Sequence, residues 1–191
     1  MIGFIKRVIT SIRLGKKNQI YDSGMWSARR VNRIFVLGCR YYFGNGVEKN
    51  YEKAVELFVK AAEQNHAQAQ VNLGFCYECG HGVEKDYEKS VFWYKKAAEQ
   101  DLADAQNKLG VCYENGYGVE KDYEKAVFWY EKAAEQGEVW GQHNFGLCYY
   151  NGWGVDQNYE TAVYWYRKSA NQGYKSAQEN LDKLLSLMSE S

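Results

Sequence analysis

The 191-residue chain has no proline. Proline ordinarily makes up about 5% of a protein and breaks helix interiors, so its absence fits a chain that is mostly helix. No run approaches the ~20 apolar residues of a membrane-spanning helix, which excludes a transmembrane protein. Net charge is missing too: 24 basic side chains balance 24 acidic ones, so nothing global draws the chain to nucleic acid. The shortage of aromatics that marks disorder does not apply, because aromatics are 16% and hydrophobic residues 46%. That composition describes a globular chain, long enough to bury a core in one domain or two small ones. Acids are absent from residues 1–17, which carry Lys6, Arg7, Arg13, Lys16 and Lys17 and leave 19 basic and 24 acidic groups in the rest. A +5 arm precedes a −5 body.

Motifs of catalysis are also lacking. There is no G-x-S-x-G, H-E-x-x-H, P-loop or dinucleotide fingerprint. The cysteines are five, an odd number (Cys39, Cys76, Cys79, Cys112, Cys148). The first residues alternate apolar with charged and lack the apolar core of a secretory leader. Both points predict free thiols in a reducing, cytoplasmic compartment. Cys76, Cys112 and Cys148 recur every 36 residues, which marks a packing position. Cys76 and Cys79 spell C-x-x-C, but at the C-terminal end of a predicted helix, where the dipole opposes a thiolate. No second pair completes a zinc site, and Cys79 reads as an exposed thiol. His66, His81 and His143 are solitary, the G-x-G pairs recur as loop glycines, and the charges Glu84, Lys85, Glu88 and Lys89 read as a solvated face. Outside the arm no basic stripe suits nucleic acid. These absences predict a chain that is not an enzyme and binds no cofactor, metal or nucleic acid.

What the chain does contain is a repeat. At a 36-residue offset it reads VLGCRYYFGNGVEKNYEKAVELFVKAAEQ, NLGFCYECGHGVEKDYEKSVFWYKKAAEQ, KLGVCYENGYGVEKDYEKAVFWYEKAAEQ and NFGLCYYNGWGVDQNYETAVYWYRKSANQ. Each unit parses as two helices. In the second unit, helix A covers about 67–79, with Ala69, Leu73, Cys76 and Tyr77 at helical spacing, and Gly80 and Gly82 end it. Helix B opens at Asp86, whose counterparts Asn50, Asp122 and Asn158 are all good N-caps. Its predicted buried stripe is Tyr87, Ser90, Val91, Tyr94, Ala97 and Ala98. The B helices end at Gly137 and Gly173, with Asn65 and Asp101 at that register in the first two units. Gly38, Gly74, Gly110 and Gly146 fall inside helix A, where glycine costs about 1 kcal/mol relative to alanine. The predicted offset is close approach of a bulky helix B side chain: Phe58, Tyr94, Tyr130 or Tyr166.

The pattern A-x3-LG-x2-Y-x2-G-x-GV-x2-[DN]-Y-x-KA-x2-WY-x-KAA-x-x-G, over about residues 30–181, closely resembles the Sel1-like repeat, a relative of the tetratricopeptide repeat. The resemblance implies an all-α, right-handed α-solenoid of four helix-turn-helix repeats with terminal capping helices. Residues 1–29 would be a basic amphipathic cap, 30–66, 67–102, 103–138 and 139–174 the repeats, and 175–191 the closing helix. The family's members act as adaptors in protein complexes, quality control and signalling, and some bacterial and parasite members engage host proteins. One subfamily forms a disulfide within each unit, and its cysteines are absent here.

Comparing the units with one another separates framework from free positions. The sets 32/68/104/140, 35/71/107/143, 39/75/111/147, 42/78/114/150 and 43/79/115/151 vary and trace one face of helix A. They match by register the concave positions of the tetratricopeptide fold. The candidate partner-binding residues are Phe35, Tyr42, Gln68, Val71, Phe75, Glu78, Asp104, Asn107, Val111, Glu114, Trp140, His143, Leu147 and Tyr150. Trp140 and Tyr150, with His143 between them, are the predicted anchors. The middle reads as mildly acidic through Glu78, Asp104 and Glu114, and the loop residues Asn45, His81, Tyr117 and Trp153 extend the surface. The competing reading makes the same residues packing. Residues 2–14 place Ile2, Ile5, Val8, Ile9 and Ile12 on one face. Three readings compete for them: a capping helix, an organelle presequence, or a membrane-surface helix touching lipid through Phe4, Lys6, Arg7 and Arg13. At the other end Leu181, Leu184, Leu185 and Met188 form one stripe on a helix of about 175–187, read as a closing cap with a dimerisation helix as the alternative. The expectation is a monomeric, non-catalytic scaffold that binds a peptide or protein on the A-helix face. The alternatives are a membrane-recruited adaptor, placed at a peripheral membrane or an organelle, and a secreted effector engaging host proteins.

Overall fold

The computed structural model describes residues 27–190; Phe4, Lys6, Arg7 and Arg13 and the 2–14 stripe lie outside them. The described residues are helical throughout, with no strand among them. The chain divides into two compact units between His66 and Ala67. The first contains α1 (27–43) and α2 (Tyr51–Ala62). The second contains α3 (Ala67–Cys79), α4 (Tyr87–Ala98), α5 (Ala103–Asn115), α6 (Tyr123–Glu135), α7 (Val139–Asn151), α8 (Tyr159–Asn171) and α9 (Lys175–Glu190). Odd-numbered helices up to α7 are the A helices of the repeat, and even-numbered ones the B helices.

The helix ends fall where the side chains dictate. Asn50, Asp86, Asp122 and Asn158 have extended backbone and accept a hydrogen bond from the amide three residues on, at 2.8–2.9 Å. Each satisfies an amide that the first helical turn leaves unpaired. At the far end of the B helices, Asn65 and Asp101 take φ of 63°, the left-handed conformation that Gly137 and Gly173 supply in the later repeats. α9 runs three residues further than the sequence pattern suggested. Its stripe splits: Leu181 and Leu184 are buried, whereas Leu185 and Met188 are about 40% exposed. Leu181 and Leu184 face α8, in one layer with Ala162 and Tyr166.

The glycines inside helix A have the predicted cause. A Cβ on Gly110 would lie 2.6 Å from Cδ1 and Cε1 of Tyr130, and one on Gly74 would lie 2.7 Å from Cε1 of Tyr94. Gly146 stands in the same relation to Tyr166, and within the first unit Gly38 does so to Phe58. Tyr94, Tyr130, Tyr166 and Phe58 are all at most 1% exposed. In the second unit each ring sits in an apolar layer with the next helix: Tyr94 with Leu109 and Cys112, Tyr130 with Phe145 and Cys148, and Tyr166 with Leu181 and Leu184.

Two further devices join successive repeats in the second unit. Gln70, Gln106 and Gln142 are almost fully buried on helix A. Their side-chain carbonyls accept from Gln100, Gln136 and Gln172 at the end of the partner helix B, at 2.7–2.9 Å. Gln106 in turn donates to Asp101, and Gln142 to the carbonyl of Ala134, both at the end of the preceding helix B. The loop after helix A supplies the second device. Tyr117 stacks on Tyr87 at 4.8 Å, and Trp153 on Tyr123 at 5.5 Å. The second loop glycine allows this approach, because a Cβ on Gly118 would collide with the carbonyl of Tyr87.

Gly110→Ala tests the ring-over-glycine contact. Alanine is the better helix former by about 1 kcal/mol, yet Tyr130 is held in place and overpacking costs ~1–3 kcal/mol. The expected outcome in urea unfolding is net destabilisation for alanine and a larger loss for Gly110→Leu.

Candidate functional site

In the first unit the candidate side chains are engaged locally. Phe35 is half-buried and stacks on His66 at 4.6 Å. Tyr42 is half-buried against Phe43, Tyr51 and Phe58. The larger candidate face lies on α3, α5 and α7 of the second unit.

There the five variable sets separate into different depths. Val71, Asn107 and His143, one set, are buried at 3%, 7% and 8% exposure. They are not presented to a partner, because this position sits where adjacent A helices meet. Asn144 donates to Asn107 Oδ1 at 2.9 Å, and Asn180 lies 2.9 Å from His143 Nε2. His143 Nδ1 lies 3.3 Å from Asn144 Oδ1. These contacts are satisfied together by a neutral ring that donates from Nδ1 and accepts at Nε2. Burial, opposed by the Asn144 bond, holds the His143 pKa below its ordinary value of 6.5. His143 therefore does not act as a surface anchor, and the trio predicted at this end reduces to the other two.

Glu78 and Glu114 also have a structural partner. Each accepts a 2.5 Å hydrogen bond from the buried hydroxyl of Tyr94 or Tyr130, sixteen residues on. Burial first, and then the adjacent carboxylate, keep both phenols protonated far above the usual tyrosine range. At the same register Tyr150 is half-buried beside Tyr159, 5.7 Å between ring centres. Leu147 is half-buried in the layer around Tyr166.

The remaining candidates form the accessible face. Trp140 is 53% exposed at the start of α7, just after Glu138, whose carboxylate accepts from the amides of Trp140 and Gly141. Gln68, Phe75, Asp104 and Val111 are half-buried. Burial raises the Asp104 pKa, and Lys108 opposes the rise. Lys108 was not among the candidates, yet its Nζ lies 5.4 Å from the centre of the Phe75 ring and its charge acts on both Asp104 and Glu138. Lys108 sets a cation among Glu78, Asp104 and Glu114, so the middle of the face is less acidic than those three carboxylates alone suggested. Beside these residues a depression of about 40 Å³ is lined by Glu78, Tyr87, Asn107, Lys108, Val111, Cys112 and Tyr117. It suits a few waters or the tip of a side chain, far below the ~300 Å³ at which small-molecule sites begin.

The thiols of Cys76, Cys112 and Cys148 are buried, with their pKa pushed up to about 12 mainly by burial. Cys79 is exposed, and its pKa is also raised, by partial burial and then by Glu78. No group of three or more metal-ligating side chains converges among the described residues. What the face offers is shape, aromatic surface and hydrogen bonds.

Helix pairs stacked in this way define an all-α helical-repeat fold. The chain belongs to the Sel1 repeat family, whose model matches residues 34–66, 67–102, 103–138 and 141–174. Proteins of this family mediate protein–protein interaction on what is typically a non-catalytic fold. Among solved structures the chain is similar to c5321, a protective antigen of uropathogenic Escherichia coli with an SLR fold. The identity is 42% and the TM-score 0.79, over 83% of this chain and 34% of that one. It is also similar to a Sel1 repeat protein from Oxalobacter formigenes, at 42% identity and TM-score 0.73, over 79% of this chain and 62% of that one. Helicobacter pylori cysteine rich protein B is 31% identical with a TM-score of 0.55, over 72% of this chain and 99% of that one. The chain thus spans about a third of the first of these proteins and under two thirds of the second. No curated protein gives a significant match.

Titration of His143 tests the polar chain. A base held neutral by burial binds fewer protons folded than unfolded, so stability is full above about pH 6.5 and falls as the pH drops below it. Protonating Nε2 sets two donors against each other at Asn180. Losing that bond is worth about 1 kcal/mol, or about 2–4 °C in a chain of this size. Between pH 7.5 and 5 the melting temperature of the wild type is expected to fall by about that much more than that of His143→Gln.

Proposed function

We propose that the A-helix face of α3, α5 and α7 holds a peptide or an extended segment of a partner protein, with Trp140 as its principal anchor. The observation that carries this reading is the exposure of Trp140, 53%, on a helix whose other large side chains are mostly turned inward. Phe75, Val111 and the stem of Lys108 supply half-buried apolar surface on the neighbouring helices. Asp104 and Gln68 supply polar groups at the same register as Trp140. The face is preformed, because Asn107, Asn144, His143 and Asn180 fix the spacing of the A helices beneath it. A partner therefore orders itself against a surface that has already paid its own ordering cost. In this reading the protein works as a monomeric scaffold, and its free thiols suit a reducing compartment.

Peptides selected from a random library on the immobilised wild-type protein provide the test. Trp140→Ala is expected to weaken the selected peptides about tenfold or more, as a central aromatic anchor does. Phe128→Ala, equally exposed on helix B, leaves them unchanged. Equal affinity for wild type and Trp140→Ala, or loss in Phe128→Ala alone, would place binding elsewhere.

A further inference from the structure

The recurring leucine of helix A is 0% exposed at Leu73 and Leu109, and Phe145 at the same register is 3% exposed. Leu37, its counterpart in α1, is 37% exposed, and the adjacent Val36 is 47% exposed. Arg29, Arg30 and Arg33 are exposed on the same flank of α1, since positions 29, 33 and 36 and positions 30, 33 and 37 align along a helix. No acid occurs in 27–43. The wider sequence sharpens the contrast. Residues 1–40 hold nine basic groups and one acid, Asp22, whereas residues 41–191 hold 15 basic and 23 acidic groups.

We propose that this flank of α1 is a docking surface for an anionic lipid bilayer, beyond the partner-binding face described above. Val36 and Leu37 enter the headgroup boundary while Arg29, Arg30 and Arg33 meet lipid phosphates. Charge decides the occupant. Residues 1–17 folding back over the flank would set five more cations against these arginines, and a second copy would set the same arginines face to face. An anionic bilayer is the cover for which the apolar and the electrostatic contributions add. Cations spread along a helix, at Arg30 and Arg33, suit a planar, fluid surface. Attachment is peripheral, since no described helix is long and apolar enough to cross a membrane.

Vesicle co-sedimentation of the full chain tests this, with phosphatidylcholine vesicles containing about one-third phosphatidylglycerol compared with phosphatidylcholine alone. The wild type is expected to pellet with the anionic vesicles, to stay in solution with the neutral ones, and to be released by high salt. Arg30→Glu/Arg33→Glu is expected to lower the partition coefficient about fivefold or more per arginine lost, with unchanged circular dichroism and melting temperature. Val36→Ser/Leu37→Ser lowers it in the same way. No pelleting with anionic vesicles overturns the proposal, as does equal pelleting with neutral ones. Unchanged binding of Arg30→Glu/Arg33→Glu also overturns it, by assigning the whole effect to residues 1–17. A dimer in light scattering that disperses in Leu37→Ser overturns it in favour of a second copy.

Discussion

The seating of a helix B ring over a helix A glycine is the contact on which the remaining architecture depends. It brings the two helices of a repeat closer than any side chain at the glycine position would allow, and the tyrosine ring occupies the space instead. Four glycines inside helices are a standing penalty of several kcal/mol in total. That is a large share of the ~5–15 kcal/mol by which a domain is usually stable. The penalty is tolerated because each ring is buried whole, and burial of a side chain this size is worth more than the propensity lost.

Once the ring is in place, its hydroxyl must be satisfied, and this shapes the face next to it. Tyr94 and Tyr130 find their acceptors in Glu78 and Glu114, so two carboxylates that look free on a helical wheel are held by the core. Phe58 has no hydroxyl, and the position opposite it is Tyr42 rather than a carboxylate. The buried glutamines show the same economy at the other edge, where Gln106 and Gln142 each tie their helix to the end of the preceding repeat. The accessible surface is what these requirements leave over.

The fold was legible because its determinants are local and repeated. Asp86 and its counterparts cap helices by their own side chains, Gly80 and Gly116 end them, and the 36-residue spacing announces a stack. The site was less legible. Variation among units marked one face of helix A, but it did not distinguish a position facing solvent from one buried between successive A helices. Val71, Asn107 and His143 are all buried, and each junction is filled differently. The Tyr94–Glu78 bond had a signal in the sequence, the co-occurrence of tyrosine and glutamate sixteen residues apart in the second and third units and its absence in the first. The glutamine ladder had one as well, in Gln70, Gln106 and Gln142 recurring thirty residues before Gln100, Gln136 and Gln172. Lys108 was overlooked because its neighbours at that register are Asn72 and Asn144, and Asn144 bonds to the preceding A helix through Asn107.

The three shielded thiols at Cys76, Cys112 and Cys148 sit at one depth in three successive repeats. Each is sealed by its own layer, so a reagent gains access to it when that layer opens. A stack in which each repeat leans chiefly on its neighbours frays from its ends inward. The chain therefore contains a row of evenly spaced chemical gauges. The order in which they become modifiable would record the sequence in which the repeats come apart.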